Sequence, residues 1–138
     1  MKKRTIAFIM AMICLCMTVT ASAVEARRAS SQIVDSSIQV IASGGRINVE
    51  FYVRGNGTMD KLGCESIEVY EQVGTSWESA ESFYEDDNGM SVTNSLRHRN
   101  TIPCNAEQGV EYKVEVTIFA ENDDGRDTRS QTFYVTGK

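Results

Sequence analysis

From Ser36 onward apolar and polar residues alternate with a period of two, and no amphipathic helical period persists for three turns. Ile38 and Val40 alternate with polar neighbours, and Gly44-Gly45 supplies a turn. Ile47, Val49, Phe51 and Val53 then form a row interleaved with Asn48, Glu50, Tyr52 and Arg54. Successive side chains of a strand point to opposite faces, so this stretch is a strand with one buried and one wet face. Gly55-Asn56-Gly57 is expected to end it, with a loop running to Gly63. A third strand covers Cys64 to Gln72, with Ile67 and Val69 inward and Glu68 and Tyr70 outward. Gly74-Thr75-Ser76 turns the chain into Trp77 to Tyr84, a short edge strand. An acidic loop, Glu85-Asp86-Asp87-Asn88-Gly89, follows. From Met90 to Ile102 the apolar residues are too sparse to assign an element, and Pro103 stops whatever lies there.

The final third carries the strongest hairpin signal. Tyr112, Val114, Val116, Ile118 and Ala120 alternate with Glu111, Lys113, Glu115, Thr117 and Phe119. Asn122-Asp123-Asp124-Gly125 provides the turn, and Arg126 to Thr136 returns as a strand containing Phe133, Tyr134 and Val135. About seven short strands with turns between them predict an all-β fold, an antiparallel β-sandwich spanning 36–138.

The first 23 residues change the picture of where this domain works. Lys2, Lys3 and Arg4 precede an uncharged run from Ile6 to Met17, and Ala21-Ser22-Ala23 follows. These are the charged, apolar and small-residue parts of a signal peptide. The run is about 12 residues long, against the roughly 20 needed to cross a bilayer, so residues 1–23 are expected to direct export and be removed. Bulky residues precede Cys14 and Cys16, and neither ends the apolar run, which argues against a lipid anchor. The polar stretch 24–35 is read as a flexible leader. A secreted protein follows. With no Leu-Pro-x-Thr-Gly ending and no second apolar span, free release is expected.

Cleavage removes three basic and no acidic residues, which takes the formal charge from −5 to about −8. Such a surface repels nucleic-acid phosphates and anionic lipid, so neither is an expected partner. Of four cysteines, two remain, Cys64 and Cys104. In an oxidising exterior they most simply make one disulfide. Closing a loop of about 40 residues could contribute roughly 4 kcal/mol.

At Ala106-Glu107-Gln108-Gly109-Val110-Glu111-Tyr112-Lys113-Val114-Glu115-Val116 the chain resembles the corner and sixth strand of fibronectin type III and related immunoglobulin-like domains. The resemblance implies an immunoglobulin-like sandwich in which the Tyr112 hydroxyl folds back to a backbone group and pins the crossing. The chain is also similar to small exported proteins of unknown function from Gram-positive bacteria, through Gly57-Thr58-Met59-Asp60 and Ala120-Glu121-Asn122. That likeness implies fold and compartment and no activity. The family layout sets Cys64 and Cys104 toward opposite ends of the sandwich, whereas bridged Cα atoms lie within about 7 Å. Layout and disulfide therefore exclude each other.

Candidate chemistry is sparse. His98 is the only histidine, flanked by Arg97 and Arg99, and no Gly-x-Ser-x-Gly surrounds any serine, so it is expected to be a solvated strand or loop residue. Glu85-Asp86-Asp87-Asn88 and Asn122-Asp123-Asp124 carry the hard oxygens calcium prefers, yet neither matches the 12-residue calcium loop, and turn chemistry explains both. No metal or cofactor is expected. Trp77, Phe83 and Tyr84 offer a sugar-stacking platform if exposed together, but an even spacing puts Trp77 and Phe83 on one side, consistent with burial of both, and Tyr84 on the other. Tyr52, Tyr70 and Phe119 fall on outward rows, where they either mark a contact surface or lie beneath Lys and Arg stems. The sequence thus points to a secreted non-enzymatic domain that binds a macromolecule, protein or glycan. The alternative is a small carbohydrate-binding module using Trp77 and Tyr84. An enzyme would require a carboxylate pair such as Glu85 and Asp87 in a cleft.

Overall fold

A computed structural model describes residues 31–138, and the expected signal peptide 1–23 and leader residues 24–30 lie outside the described residues. The architecture is all-β and antiparallel, with six strands: β1 (Ile33–Ser43), β2 (Arg46–Val73), β3 (Ser76–Tyr84), β4 (Ser91–Asn105), β5 (Glu111–Asn122) and β6 (Gly125–Thr136). Six strands replace the expected seven because Gly55-Asn56-Gly57 bends a strand instead of ending it. β2 runs for 28 residues, and its two halves serve different partners. Arg46 to Arg54 lies between β1 and β4, whereas Ser66 to Glu71 lies between β3 and β5. The exchange of β1 for β5 falls just after the glycines, while β4 stays paired as far as Gly63 and gives way to β3 at Ser66. At the glycines the β1 ladder stops at Gly55, and the β4 ladder skips from Arg54 to Met59. Polar groups freed at the bend are satisfied from the chain entry: the Asn56 amide nitrogen donates to the Gln32 carbonyl at 2.9 Å, and its side chain to the Ser31 carbonyl at 3.0 Å.

The stretch 90–102 that carried no clear period falls in β4 from Ser91 on, which corrects the reading of Pro103 as its stop, since the strand runs on through Pro103, opposite Asn48, to Asn105; β1 begins at Ile33, inside the stretch read as leader. β4 is hard to read because it pairs with β2 alone and buries little beyond Ile102 and Cys104. The inner rows of both halves of β2 meet in one core. Ile47, Val49, Phe51 and Val53 from the first half join Ile67 and Val69 from the second, with Val114, Val116 and Ile118 of β5. Burying this row of branched and aromatic side chains is the main favourable term, at about 25 cal/mol per Å² of apolar area removed from water.

The sheet curls until β1 approaches β6 without forming a ladder, and β4 is joined to β3 by a side-chain hydrogen bond. Inward-pointing charged side chains close both seams. Asp127, 8% exposed, accepts from the Ile33 amide at 3.3 Å, while Arg129 donates to the Ile33 carbonyl at 2.7 Å. On the other side the Glu81 carboxylate accepts from the Asn105 amide at 2.9 Å. A charge aimed inward from an edge strand also discourages pairing with a foreign strand.

Gly63 is the tightest point of the chain. It pairs with Phe119 on one side and Ser91 on the other, at φ +150°, and a Cβ there would collide with the Met90 carbonyl oxygen and come within 2.7 Å of the Ser91 Cα. Backbone on both flanks leaves no room to yield. Gly63→Ala is expected to lower the unfolding free energy by about 1–3 kcal/mol, as measured by urea denaturation, and a loss under about 0.5 kcal/mol would show that the neighbouring strands part easily.

Candidate functional site

The second half of β2 builds a four-strand face with β3, β5 and β6, and its outward row is set by the pairing. Tyr70 is opposite Ser79 and Lys113, and Lys113 is opposite Tyr134. Glu68 is opposite Ser82 and Glu115, with Thr132 beyond, and Ser66 is opposite Tyr84 and Thr117, with Ser130 beyond. Trp77 is opposite Gln72, and Glu111 opposite Thr136. The outward positions therefore carry aromatic rings, small hydroxyls, carboxylates, one carboxamide and one lysine, and no aliphatic side chain.

Trp77 is here because of a β-bulge. The β2 to β3 register shifts between Val69 and Tyr70, where Ser79 faces Tyr70 but Glu81 faces Val69. The extra residue, Ala80, inverts the parity of the strand. Trp77 and Phe83 thus fall on opposite sides, contrary to the even-spacing argument: Phe83 packs against the core, and Trp77 shares the outward face with Tyr84. These two are not neighbours, however. Their β2 partners Gln72 and Ser66 stand six residues apart, about 20 Å along the strand. The ring beside Trp77 is instead Tyr134, with centroids 5.8 Å apart and planes inclined by 53°. Tyr134 is 68% exposed, and nothing in the sequence tied it to Trp77.

Lys113 sits among these rings, its Nζ 4.6 Å from the Tyr70 centroid and 5.7 Å from that of Trp77. It also pairs with Glu115 at 3.6 Å. The Tyr70 hydroxyl donates to Glu68 at 3.1 Å, and that carboxylate raises the Tyr70 pKa. The directly opposed carboxylates Glu68 and Glu115 are thus each supplied with a donor. A cleft of about 250 Å³ lies beside the pair of rings, lined by Trp77, Glu111, Tyr112, Tyr134, Val135 and Thr136.

The remaining candidates take structural places. Tyr112 is 2% exposed, and its hydroxyl oxygen accepts from the Glu107 amide at 2.7 Å. Gly137 presses on the same corner, where a Cβ would strike the Glu107 carbonyl. Phe119 is fully buried although it points away from the core row, and so takes the second of its two expected places, beneath a cationic stem, and not on a contact surface. The Arg126 guanidinium covers it at 3.9 Å and is held by Glu85 at 2.9 Å, Glu65 at 3.1 Å and Glu121 at 3.3 Å. Glu85 and Asp86 also reach Lys61, while Asp87 accepts from the Tyr84 amide at 2.7 Å. Asn122 likewise accepts from the Asp124 amide at 3.0 Å, so the first acidic loop engages its carboxylates in ion pairs and a turn, and the second closes its turn through Asn122. Among the described residues no three His, Cys, Asp or Glu side chains converge as a metal-binding group. His98 is half-buried rather than solvated, tilted against Phe51 at 5.4 Å, with Nε2 2.9 Å from the Gly89 carbonyl. Tyr52 lies under Arg99, whose guanidinium is 5.0 Å from the ring centroid.

Cys64 and Cys104 are free thiols, both buried, which corrects the expected disulfide. Cys104 faces Ile47 near the start of β2, whereas Cys64 lies far along β2 itself, opposite Ile118. Register holds the two sulfurs apart. The Cys64 Sγ donates to the Thr117 carbonyl at 3.2 Å.

No family model matches the chain, and none of the curated proteins does. Among solved structures the chain is similar to Spo0M, a sporulation control protein from Bacillus subtilis, with a TM-score of 0.42 and 10% identity over 75% of this chain and 49% of that one. The chain spans about half the length of that protein.

Two outcomes follow from the corner and the thiols. Tyr112→Phe removes the acceptor of a buried amide and is expected to cost about 1–3 kcal/mol in thermal or urea unfolding with the far-ultraviolet spectrum unchanged; no loss would mean that water replaces the hydroxyl. Burial pushes both thiols up to about 12. Their raised pKa values make the stability they contribute complete below the ordinary thiol value near 8.5 and lost as the pH rises toward 12. Iodoacetamide at pH 8, mapped by peptide mass, should leave Cys64 and Cys104 unmodified in the native protein and alkylate both after unfolding. Rapid native labelling of either would place it at the surface.

Proposed function

We propose that this chain is an exported, non-enzymatic domain of fibronectin type III-like sandwich architecture that works by presenting the Trp77 face to another macromolecule. The observation that carries this reading is the composition of that face. Tyr70, Trp77, Tyr84 and Tyr134 stand among serine and threonine hydroxyls on a four-strand platform. Tyrosine and tryptophan supply contact area at small conformational cost, and hydroxyls supply adaptable hydrogen bonding, which is the composition recognition surfaces use. The buried Tyr112 corner supports the sandwich reading, and the signal-like segment 1–23 supports export.

A carbohydrate-binding module is the second reading, and the pairing of Trp77 with Tyr134 favours it over a pairing of Trp77 with Tyr84. Two inclined rings beside carboxylates and hydroxyls suit the apolar faces and hydroxyl edges of a sugar. Trp77→Ala is expected to weaken binding of the partner by about 30-fold or more, the effect of losing a central aromatic anchor, while shifting the melting temperature little. A glycan array separates the readings: signal that vanishes with Trp77→Ala assigns sugar, and a blank array beside a protein captured from the producing cell's surface, lost in the same variant, assigns protein. Binding unchanged by Trp77→Ala would remove this face from both.

A further inference from the structure

The first half of β2 turns a different outward row away from the core, and its chemistry is opposite in sign. Arg54 is directly opposite Arg97, and the next outward pair along the ladder is Tyr52 with Arg99. Like charges directly across an antiparallel ladder are destabilising. Glu68 and Glu115 on the other face share this arrangement but have Tyr70 and Lys113 as donors. Arg54 and Arg97 make no ion pair among the described residues, although Asp35 is the other ladder neighbour of Arg54, and both side chains are exposed. Arg99 reaches Glu50 at 3.6 Å and stacks on Tyr52. A cleft of about 470 Å³ is lined by Tyr52, Arg97, His98 and Arg99.

We propose that Arg54, Arg97 and Arg99 bind a tetrahedral oxyanion, a phosphate monoester carried on a small, otherwise neutral ligand. Directly paired positions set the Cβ atoms of Arg54 and Arg97 about 5 Å apart, and Arg97 and Arg99 are separated by about 7 Å along the strand. On this reading the Arg97 and Arg99 forks act from the lining of the cleft, Arg99 by exchanging Glu50 for the ligand, and the long Arg54 side chain reaches over from the paired position. A carboxylate is filled by a single fork, whereas a phosphate has oxygens for several. The extent of the patch sets the size of the ligand. The chain carries 19 acidic against 14 basic residues, so an extended polyanion would run from three arginines into repulsive surroundings, while a single anionic group remains within about one Debye length of the patch. A site that lowers like-charge repulsion only when occupied explains why the Arg54 and Arg97 pair has no carboxylate partner among the described residues.

The test is a titration of the full chain with glucose 6-phosphate, inorganic phosphate, glucose 6-sulfate and glucose at matched ionic strength, followed by amide chemical shifts. Saturable shifts at Arg54, Arg97 and Arg99 are expected with both phosphates, weaker ones with the sulfate, and none with glucose. In Arg54→Gln/Arg97→Gln the affinity should fall at least tenfold, and Arg97→Lys, which keeps the charge but loses the fork, should fall severalfold. Without ligand and at low salt, Arg97→Gln should melt at the same or a higher temperature, by up to about 4 °C. The proposal is overturned by shifts that chloride or glucose reproduces, by affinity retained in the double variant, or by a clear loss of melting temperature in Arg97→Gln. Concentration-dependent assembly abolished by the same substitutions would also overturn it, because the arginines would then dock carboxylates of a second copy.

Discussion

Every other strand takes its place from a single strand. β2 is the ladder partner of β1 and β4 in its first half and of β3 and β5 in its second, and only β6 is reached through an intermediary. A strand paired on both sides has its register fixed twice, and a slip by one residue would exchange every buried side chain for an outward one. Because β2 is continuous, a slip in one half would propagate to the other. The row Ile47, Val49, Phe51, Val53 and the row Ile67, Val69 are therefore coupled through one backbone, and both feed the same core.

The period-two pattern in the sequence was enough to place β1, both halves of β2, β5 and β6, because each alternates residue by residue, with an inner row that is buried in β2 and β5 and half-buried in β1 and β6. What escaped it has specific causes. Gly55-Asn56-Gly57 has the composition of a turn, and only the partners available on either side decide that it bends a strand instead. Ala80 leaves no mark in the sequence as a bulge, yet it determines whether Trp77 joins the core or the surface. Phe119 follows the outward parity but is buried, since its cover comes from Arg126 and the carboxylates that hold it, contributed by β2, β5 and the connection after β3. The two thiols could be paired on compartment grounds alone, whereas their separation is a matter of register.

Charge is used sparingly and locally in this acidic chain. Burial works against the Arg126 cation, and three carboxylates more than offset this, raising its pKa. The cluster is partly exposed, so water screens it and its net contribution to stability is small. Its function is to seal Phe119 and fix the acidic connection over the end of the sheet. At the open seams, Asp127 and Glu81 perform the other task of charge, satisfying backbone amides that no neighbouring strand reaches.

The same arithmetic that builds the core leaves the outward rows free. Each odd residue of the first half of β2 is required by the interior, and each even one is not, so Tyr52 and Arg54 can vary in chemistry without disturbing Phe51 and Val53. The aromatic face is likewise assembled from Tyr70, Trp77, Lys113 and Tyr134, one residue from each of four strands. Sites of this kind have no local spacing for a motif to capture, because their geometry exists only across ladders. A single residue inserted in β3 or in the long strand would rotate part of the face into the core. The bulge at Ala80 is thus as much a determinant of the surface as Trp77 is, and the binding chemistry of the domain depends on backbone register before it depends on any one side chain.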